Sequence, residues 1–306
     1  MSERPLCSLK VDVDTHDGMR DGVPRLLEAF ARHGVKATFF LSFGPDNAGK
    51  AVWNLVRQRG FMRKMLKTGA PKLYGWRTVL SGTLLPARPT AAAMPELVRR
   101  IEAEGHEVGV HAWDHRLWQD HLHRLSRPQV EEQVRLACDA FEGILGRRPQ
   151  AVAAPAWYVS RTSLELHDAL GLLYASDMRG GAPAFPELEG YRSTTLQIPT
   201  TQPCLEELLT LGQRDPATWV DLVLRPPAEP VDALVLPLHA EVEGGVYASF
   251  LDELLERLTG THDVVPLEGV ARRALARDPG VRPATLAPCS GRAGRVFAFE
   301  PAGVEV

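Results

Sequence analysis

The chain has 306 residues, of which 44% are hydrophobic, and its formal net charge is −3. This length accommodates one large domain or two modest ones, and the slightly acidic balance argues against a nucleic-acid partner. The N-terminal residues lack the apolar run of a secretory signal, and no segment approaches the roughly 18 uncharged apolar residues that span a bilayer. The four cysteines are scattered, as is typical of free thiols in a reducing compartment. These features predict a cytoplasmic protein.

Apolar segments alternate with amphipathic helical patterns along the chain. Residues 6–13 and 35–43 are predicted to be buried strands, separated by a helix with Pro24 in its first turn and Gly34 as its terminator. Further strands are predicted at 107–110, 151–154, 172–175, 195–198, 233–238 and 263–266, and further helices at 95–104, 128–145, 163–170, 205–211, 218–224 and 250–258. Strands that alternate with helices form βαβ units, so the sequence predicts a mainly parallel α/β sheet, open or closed into a barrel.

The window from Asn47 to Pro95 differs in composition from the rest of the chain. It contains nine Lys and Arg residues but no Asp or Glu, and it also carries several aromatic residues. Basic residues mixed with aromatic residues are typical of contact with anionic lipid, although a solvated basic helix accounts for the composition equally well. The candidates for substrate or lipid contact are Arg63, Lys64, Lys67, Tyr74 and Trp76.

Two aspartates stand at the end of the first predicted strand. Side chains two positions apart on a strand face the same side, so Asp12 and Asp14 converge at one rim of the sheet. Functional sites of α/β folds gather at these carboxyl ends of strands. By itself, the pair is also compatible with the capping of a following helix.

His111 and His115 directly follow the strand predicted at 107–110. Histidines four apart on a helical turn present their imidazoles on one face, close enough to share a divalent ion. This spacing also occurs by chance, but its place after a strand brings it to the rim that carries Asp14. One carboxylate and two imidazoles leave coordination positions open, as a catalytic metal site requires. This ligand set suits zinc, cobalt, manganese or nickel.

Two further candidates follow later strands. His239 comes directly after the strand predicted at 233–238, and as a third histidine on the rim it is predicted to be a general acid rather than a structural residue. Asp177 follows the strand predicted at 172–175. It either orients His239 or caps a loop, and the sequence favours neither role.

The order of these motifs resembles that of the polysaccharide deacetylases of carbohydrate esterase family four. The shared pattern is Asp-x-Asp at 12–14, His-x₃-His at 111–115, Ala-Ala-Pro-Ala-Trp at 153–157, Ser-Asp at 176–177 and Leu-x-x-His at 236–239. Longer blocks are similar to the branch of this family that removes a formyl group from 4-deoxy-4-formamido-L-arabinose carried by undecaprenyl phosphate, a step of lipid A modification associated with polymyxin resistance. These blocks lie at 11–15, 21–27, 44–47, 73–76, 107–115, 176–180, 197–199 and 239–244.

The resemblance implies an architecture and a location. It implies a distorted (β/α) barrel with fewer than eight strands, formed by residues 1–275 as one domain with an insertion at about 47–95. Residues 276–306, rich in Arg, Pro and Gly, are predicted to be a C-terminal surface tail. A sugar linked to undecaprenyl phosphate lies at the inner face of the membrane, so the basic window is expected to contact the cytoplasmic membrane surface peripherally. No protein partner is predicted.

The resemblance also implies a role for each rim residue. Asp14, His111 and His115 are expected to hold a divalent metal ion, with Asp12 as general base and His239 as general acid. The family commonly has an arginine in the third-motif loop that contacts the base. In this chain Tyr158 stands at that position, with Arg161 three residues later.

Three other functions stay open on the sequence alone. They are an N-deacetylase of a glycan or another amino sugar, a cytosolic amidohydrolase of small amides, and a non-catalytic carbohydrate- or lipid-binding module. The absence of an export signal argues against an extracellular polymer as substrate. Retention of both aspartates and all three histidines argues against a decayed enzyme.

Overall fold

The first βαβ units set the direction of the barrel. A computed structural model of the chain describes residues 4–50, 81–227, 229–292 and 294–299. Strand β1 (Leu6–Val13) is buried along its whole length. It leads through a π-helical turn (Gly18–Gly22) into helix α1 (Val23–His33). Helix α1 ends at Gly34, whose φ of 66° lies in the left-handed region that favours glycine, so the predicted terminator is confirmed.

Most of the remaining elements follow the predicted alternation, with ends that differ by a few residues. In chain order the remaining elements are β2 (Thr38–Ser42), α2 (Pro95–Ala103), β3 (Glu107–Ala112), α3 (His115–His121), α4 (Arg127–Leu145), β4 (Ala151–Val152), α5 (Arg161–Leu170), β5 (Tyr174–Ala175), β6 (Phe185–Leu188), β7 (Tyr191–Arg192), β8 (Leu196–Gln197), α6 (Leu205–Thr210), α7 (Pro216–Val223), β9 (Ala233–His239), α8 (Ala248–Thr261), β10 (Asp263–Val264), α9 (Leu267–Leu275), β11 (Val281–Pro288) and β12 (Arg295–Phe299). The helices at 115–121 and 267–275 and the strands at 185–188, 191–192, 281–288 and 295–299 were not predicted.

The main sheet is parallel and curls into an incomplete barrel. Seven strands form its wall in the order β9-β1-β2-β3-β4-β5-β8, and the two-residue β10 pairs beside them with the beginning of β1. Between β8 and β9 the described residues are joined locally at Val235. Its N–H donates to the Thr201 hydroxyl at 2.9 Å, and its carbonyl accepts from the Thr201 and Gln202 N–H groups at 3.2 Å. The expectation of a parallel α/β barrel with fewer than eight strands in its wall is confirmed.

The register of β1 fixes which side chains share a level at the barrel mouth. Asp12 lies opposite Phe40 of β2 on one side and opposite His239 of β9 on the other. Both expected acid–base residues therefore occupy neighbouring positions on adjacent strands. The strand pairing alone brings these two residues together.

A second, smaller sheet corrects the expectation of a surface tail after residue 276. It has four strands in the order β12-β11-β6-β7, so residues 281–299 contribute two strands rather than a loose tail. Phe299 and Ala284 are buried there in one cluster with Leu164 and Met178. The segment carries prolines and an irregular apolar pattern, which hid these strands in the sequence. The division into one domain stays a prediction.

No helix in the described ranges has the length and apolar character needed to cross a bilayer.

Close packing between barrel strands predicts the effect of one glycine substitution. A Cβ added to Gly109 of β3 would lie 2.7 Å from the Phe40 ring and 2.8 Å from the Ala151 carbonyl oxygen. Because this overpacks a rigid wall, Gly109→Ala should lower the free energy of unfolding by about 1–3 kcal/mol. Urea denaturation followed by circular dichroism measures the change.

Gly143→Ala is the matched control for this prediction. Gly143 lies in helix α4, and nothing lies within 4 Å of its added Cβ. Alanine forms helices better than glycine by about 1 kcal/mol, so this variant should be at least as stable as the wild type. A Gly109→Ala variant as stable as Gly143→Ala would contradict the packing argument.

Candidate active site and metal centre

Three residues from separate elements meet at the mouth of the barrel. Asp14 directly follows β1, His111 lies near the end of β3, and His115 begins α3. The Nε2 atom of His111 is 3.3 Å from Oδ1 of Asp14, and Nε2 of His115 is 3.3 Å from Oδ2. All three potential ligand atoms lie within 4.8 Å of one another, so the predicted set is brought together.

The local structure that joins the two histidines differs from the prediction. They do not share a helical turn, since His111 is a strand residue and His115 is the first residue of a helix. Asp114 starts that helix by accepting a hydrogen bond of 3.0 Å from the Leu117 N–H. Its second oxygen accepts one of 2.7 Å from the Asn47 side chain. The histidine rings still lie with centroids 5.2 Å apart.

The donor set fits a divalent metal ion. The Nδ1 atom of His111 lies 2.6 Å from the Ala153 carbonyl oxygen and donates a hydrogen bond to it. In that tautomer Nε2 carries no proton, so its lone pair is directed at Asp14. Oδ1 of Asp14 is buried and forms no hydrogen bond with any described residue. Two imidazole nitrogens and one carboxylate, with further positions open, match catalytic sites for zinc and similar ions.

The ionisation of these residues also suits a cation. Burial alone would raise the pKa of Asp14, but the neighbouring His115 and His111 outweigh it and hold that pKa far below its usual range. Burial lowers the pKa of His115 to about 4. At neutral pH the site therefore offers an ionised carboxylate and a neutral His115 imidazole, which are the forms that bind metal.

Asp12 lies beside this centre with its two oxygens in different surroundings. Oδ2 accepts a hydrogen bond from the buried ammonium of Lys10, whereas Oδ1 is buried and has no partner among the described residues. The Tyr158 ring packs against Phe297 with centroids 5.4 Å apart, and Arg161 pairs with Glu165 at 2.9 Å. Neither Tyr158 nor Arg161 therefore supplies the basic contact that the family arginine commonly makes.

His239 has a partner that the sequence did not reveal. Its Nδ1 atom lies 2.9 Å from Oε1 of Glu206, the second residue of helix α6. Burial would lower the pKa of His239, but the Glu206 carboxylate raises it well above its usual value. A protonated imidazole at neutral pH is able to donate a proton. Glu206 stands 33 positions before His239, with no motif that links them.

Asp177, considered as a partner of His239, has another role. Its carboxylate accepts hydrogen bonds from the Ala154 N–H at 2.7 Å and from the Gln197 side chain at 2.9 Å. It also lies 3.2 Å from Nδ1 of His167. Of the two roles left open by the sequence, these contacts fit support of the loop, and among the described residues no contact joins Asp177 to His239.

Two buried glutamates that follow β9 hold the backbone of the site. Oε1 of Glu241 accepts hydrogen bonds from the N–H groups of Asp14 at 3.0 Å and Thr15 at 2.7 Å. Glu243 accepts one of 2.8 Å from the N–H of His239. Burial raises the pKa of both glutamates to about 8. The charge of Asp14 adds to this effect at Glu241, and the charge of Glu206 adds to it at Glu243. Their signal in the sequence was the His-Ala-Glu-Val-Glu run.

The five candidates for substrate or lipid contact in the basic window lie outside the described residues. They are Arg63, Lys64, Lys67, Tyr74 and Trp76.

Comparison with known proteins places this site in a family. Residues 13–175 match the family described as polysaccharide deacetylase, a range that includes Asp14, His111 and His115. The chain belongs to the polysaccharide deacetylase family.

Two curated relatives extend over most of the chain. It is 34% identical over 247 residues to the probable 4-deoxy-4-formamido-L-arabinose-phosphoundecaprenol deformylase of Shewanella sediminis (strain HAW-EB3), covering 81% of this chain and 79% of the relative. It is 30% identical over 242 residues to the protein of the same name from Wigglesworthia glossinidia brevipalpis, covering 78% of this chain and 82% of that relative.

Solved structures share the fold at low sequence identity. A Mycobacterium smegmatis protein assigned to the polysaccharide deacetylases aligns with a TM-score of 0.62 and 18% identity, covering 94% of this chain and 96% of that one. The Bc1960 peptidoglycan N-acetylglucosamine deacetylase aligns with a TM-score of 0.54 and 15% identity, covering 88% of each chain. At these identities the likeness supports the fold alone.

The geometry predicts which variants lose metal. His115→Ala removes one of the three candidate metal ligands. The variant should therefore not retain zinc or manganese at metal concentrations that saturate the wild type. His239→Ala should retain the metal, because His239 pairs with Glu206 rather than with Asp14. Elemental analysis after gel filtration distinguishes the two, and loss of metal from His239→Ala would make His239 a ligand instead.

Proposed function

We propose that this chain is a metal-dependent deformylase acting on 4-deoxy-4-formamido-L-arabinosyl undecaprenyl phosphate. The observation that carries the proposal is the 34% identity to a curated relative of that name over 81% of the chain. The grouping of one candidate base, one candidate acid and three candidate metal ligands at the barrel mouth supports it. The products are formate and the 4-amino sugar, still linked to its lipid phosphate.

The residues of the site divide the work of amide hydrolysis among them. Asp14, His111 and His115 hold the metal ion, which when bound supplies a Lewis acid that polarises the amide carbonyl and acidifies water. Asp12 takes a proton from the attacking water through Oδ1, the oxygen not engaged by Lys10. The new C–O bond forms at the formyl carbon as the C–N bond breaks, and His239 gives its proton to the departing amine.

Mass spectrometry of the lipid-linked formamido sugar tests the substrate directly. Incubation of the enzyme with that lipid and defined divalent metals should remove one formyl group and release formate. The same enzyme should release no acetate from soluble N-acetyl glycans. Acetate release with no formate release would favour the alternative function of an N-deacetylase.

Asp12→Asn tests the general base. The amide keeps the shape of the side chain but cannot accept the proton, so kcat should fall by about 10²–10⁴-fold. Metal content should stay at the wild-type level, because Asp12 is not among the three clustered ligands. Steady-state formate release and elemental analysis measure the two quantities, and near-wild-type turnover would remove Asp12 as the base.

Glu206→Gln tests the acid through its pH dependence. The carboxylate raises the pKa of His239, which keeps the imidazolium form present to higher pH. Removing this charge lowers the pKa of His239, so the alkaline limb of the kcat/KM profile should move to lower pH. Glu206→Asp retains the charge and should keep the limb nearer its wild-type position. If the alkaline limb of Glu206→Gln is unchanged, the Glu206–His239 pair does not set the pH dependence of the rate.

The location at the membrane surface forms part of the same proposal. In the described part of the basic window, Leu84 and Leu85 close a tight turn in which the Gly82 N–H donates to the Leu85 carbonyl at 2.8 Å. These two adjacent leucines are 69% and 37% exposed. Exposed apolar side chains beside a basic segment favour peripheral contact with an anionic bilayer on the cytoplasmic side.

Charge reversal of Arg63, Lys64 and Lys67 tests this contact. Each basic residue near an anionic surface contributes about 1 kcal/mol of attraction, so the triple variant should float poorly with vesicles that contain phosphatidylglycerol. The matched control reverses three exposed arginines elsewhere, Arg124, Arg214 and Arg295, and should bind as the wild type does. Equal flotation of both triple variants would contradict a specific role for the window.

A further inference from the structure

We propose that Lys10 is a positioning residue that holds the Asp12 carboxylate so that one defined oxygen faces the attacking water. It would take over, from strand β1, the task that the family commonly gives to an arginine in the third-motif loop. The inference rests on the proposed function, because it assigns Lys10 a role through Asp12 as general base.

The burial of Lys10 requires a compensating partner. Its side chain is 1% exposed, inside a strand that is otherwise packed on both faces. An ammonium group removed from water is costly unless it is paired, and Asp12 supplies the opposite charge. The two residues are two apart on β1 and therefore face the same side. A lysine is retained at a position where an apolar side chain would pack without this cost.

Two aromatic rings confine the ammonium group. Nζ of Lys10 lies 5.4 Å from the centroid of Phe40 and 5.6 Å from that of Trp157, within the range of cation–π attraction. Trp157 is itself fixed, since its Nε1–H donates a hydrogen bond of 2.9 Å to the Thr200 hydroxyl. An ammonium held on two sides gives Asp12 a fixed contact rather than a mobile one.

The consequence appears in the two oxygens of Asp12. Oδ2 accepts from Lys10, and Oδ1 is buried without a partner within the described ranges. A carboxylate free to rotate would present either oxygen, whereas this one keeps Oδ1 for the proton. Correct orientation of a catalytic group is worth orders of magnitude in rate.

A purely structural role makes a different prediction. If Lys10 only balanced charge among the buried carboxylates, its removal would lower stability and metal retention regardless of what stands at position 12. A positioning role instead requires that the loss on removing Lys10 disappear once Asp12 can no longer act as a base. A double-mutant cycle separates these outcomes.

The experiment compares Lys10→Met, Asp12→Asn and the double variant, each loaded with metal. Single-turnover formate release with excess enzyme gives the rate constant, and metal content and thermal unfolding are measured in parallel. Lys10→Met should lower the rate by about 10²-fold at unchanged metal content. In the Asp12→Asn background the same change should cost nothing further. Lys10→Arg, which restores a cation, should recover part of the rate lost in Lys10→Met.

Ser8→Ala is the matched control on the same face of β1. Ser8 is fully buried, and its hydroxyl donates to the Val265 carbonyl at 2.7 Å, away from Asp12. This variant perturbs the strand but should keep the wild-type rate. Full activity in Lys10→Met would overturn the proposal, and so would a further loss of the same size in the Asp12→Asn background.

An error in the proposed substrate can be distinguished from an error in the proposed role of Lys10. The double-mutant cycle of Lys10 and Asp12 requires only that the enzyme hydrolyse some amide. Release of acetate rather than formate would therefore refute the formyl substrate while the comparison at position 10 proceeds on the N-acetyl sugar.

Discussion

The barrel mouth concentrates buried and partly buried acidic groups, and much of the surrounding structure stabilises them. Its carboxyl groups are those of Asp12, Asp14, Glu206, Glu241 and Glu243. Each has a distinct compensation: an ammonium, a pair of imidazoles, a single imidazole, or backbone N–H groups. Buried charges persist only when they are paired or hydrogen-bonded. Glu241 and Glu243, whose pKa values are raised to about 8, stay largely protonated at neutral pH, whereas Asp14 keeps a negative charge that favours a divalent cation.

Strand β1 supplies most of this arrangement from alternate positions. Lys10 and Asp12 face one side of the strand, and Asp14 follows at the same spacing where the strand ends. Parallel pairing with β9 places His239 level with Asp12. The candidate base and Lys10 therefore share a central strand, and one candidate metal ligand directly follows it. Their relative geometry depends on strand pitch rather than on loop conformation.

The sequence predicted the parts of the site that follow strands, because carboxyl ends of parallel strands must converge. Asp14, His111 and His115 came together as expected, although His111 proved to be a strand residue. Glu206 was missed because helix–strand proximity leaves no mark in local spacing. Lys10 did leave a signal, because a lysine within a mostly apolar strand indicates a buried charge that needs a partner. The second sheet escaped prediction because β11 contains two prolines and is mostly exposed or half-buried, and β6 and β7 are too short to show a clear period of two.

The hydrogen bonds that Glu241 accepts from the N–H groups of Asp14 and Thr15 join the loop after the first strand to a residue 227 positions beyond Asp14. All three candidate metal ligands lie within the first 115 residues of the chain. The loop that carries Asp14 nonetheless lacks its side-chain anchor until Glu241 has been added and β9 has docked beside β1. The complete candidate metal site therefore depends on residues from both ends of the barrel. A nascent chain that exposes only the ligands has the donors for an ion without the frame that orders them.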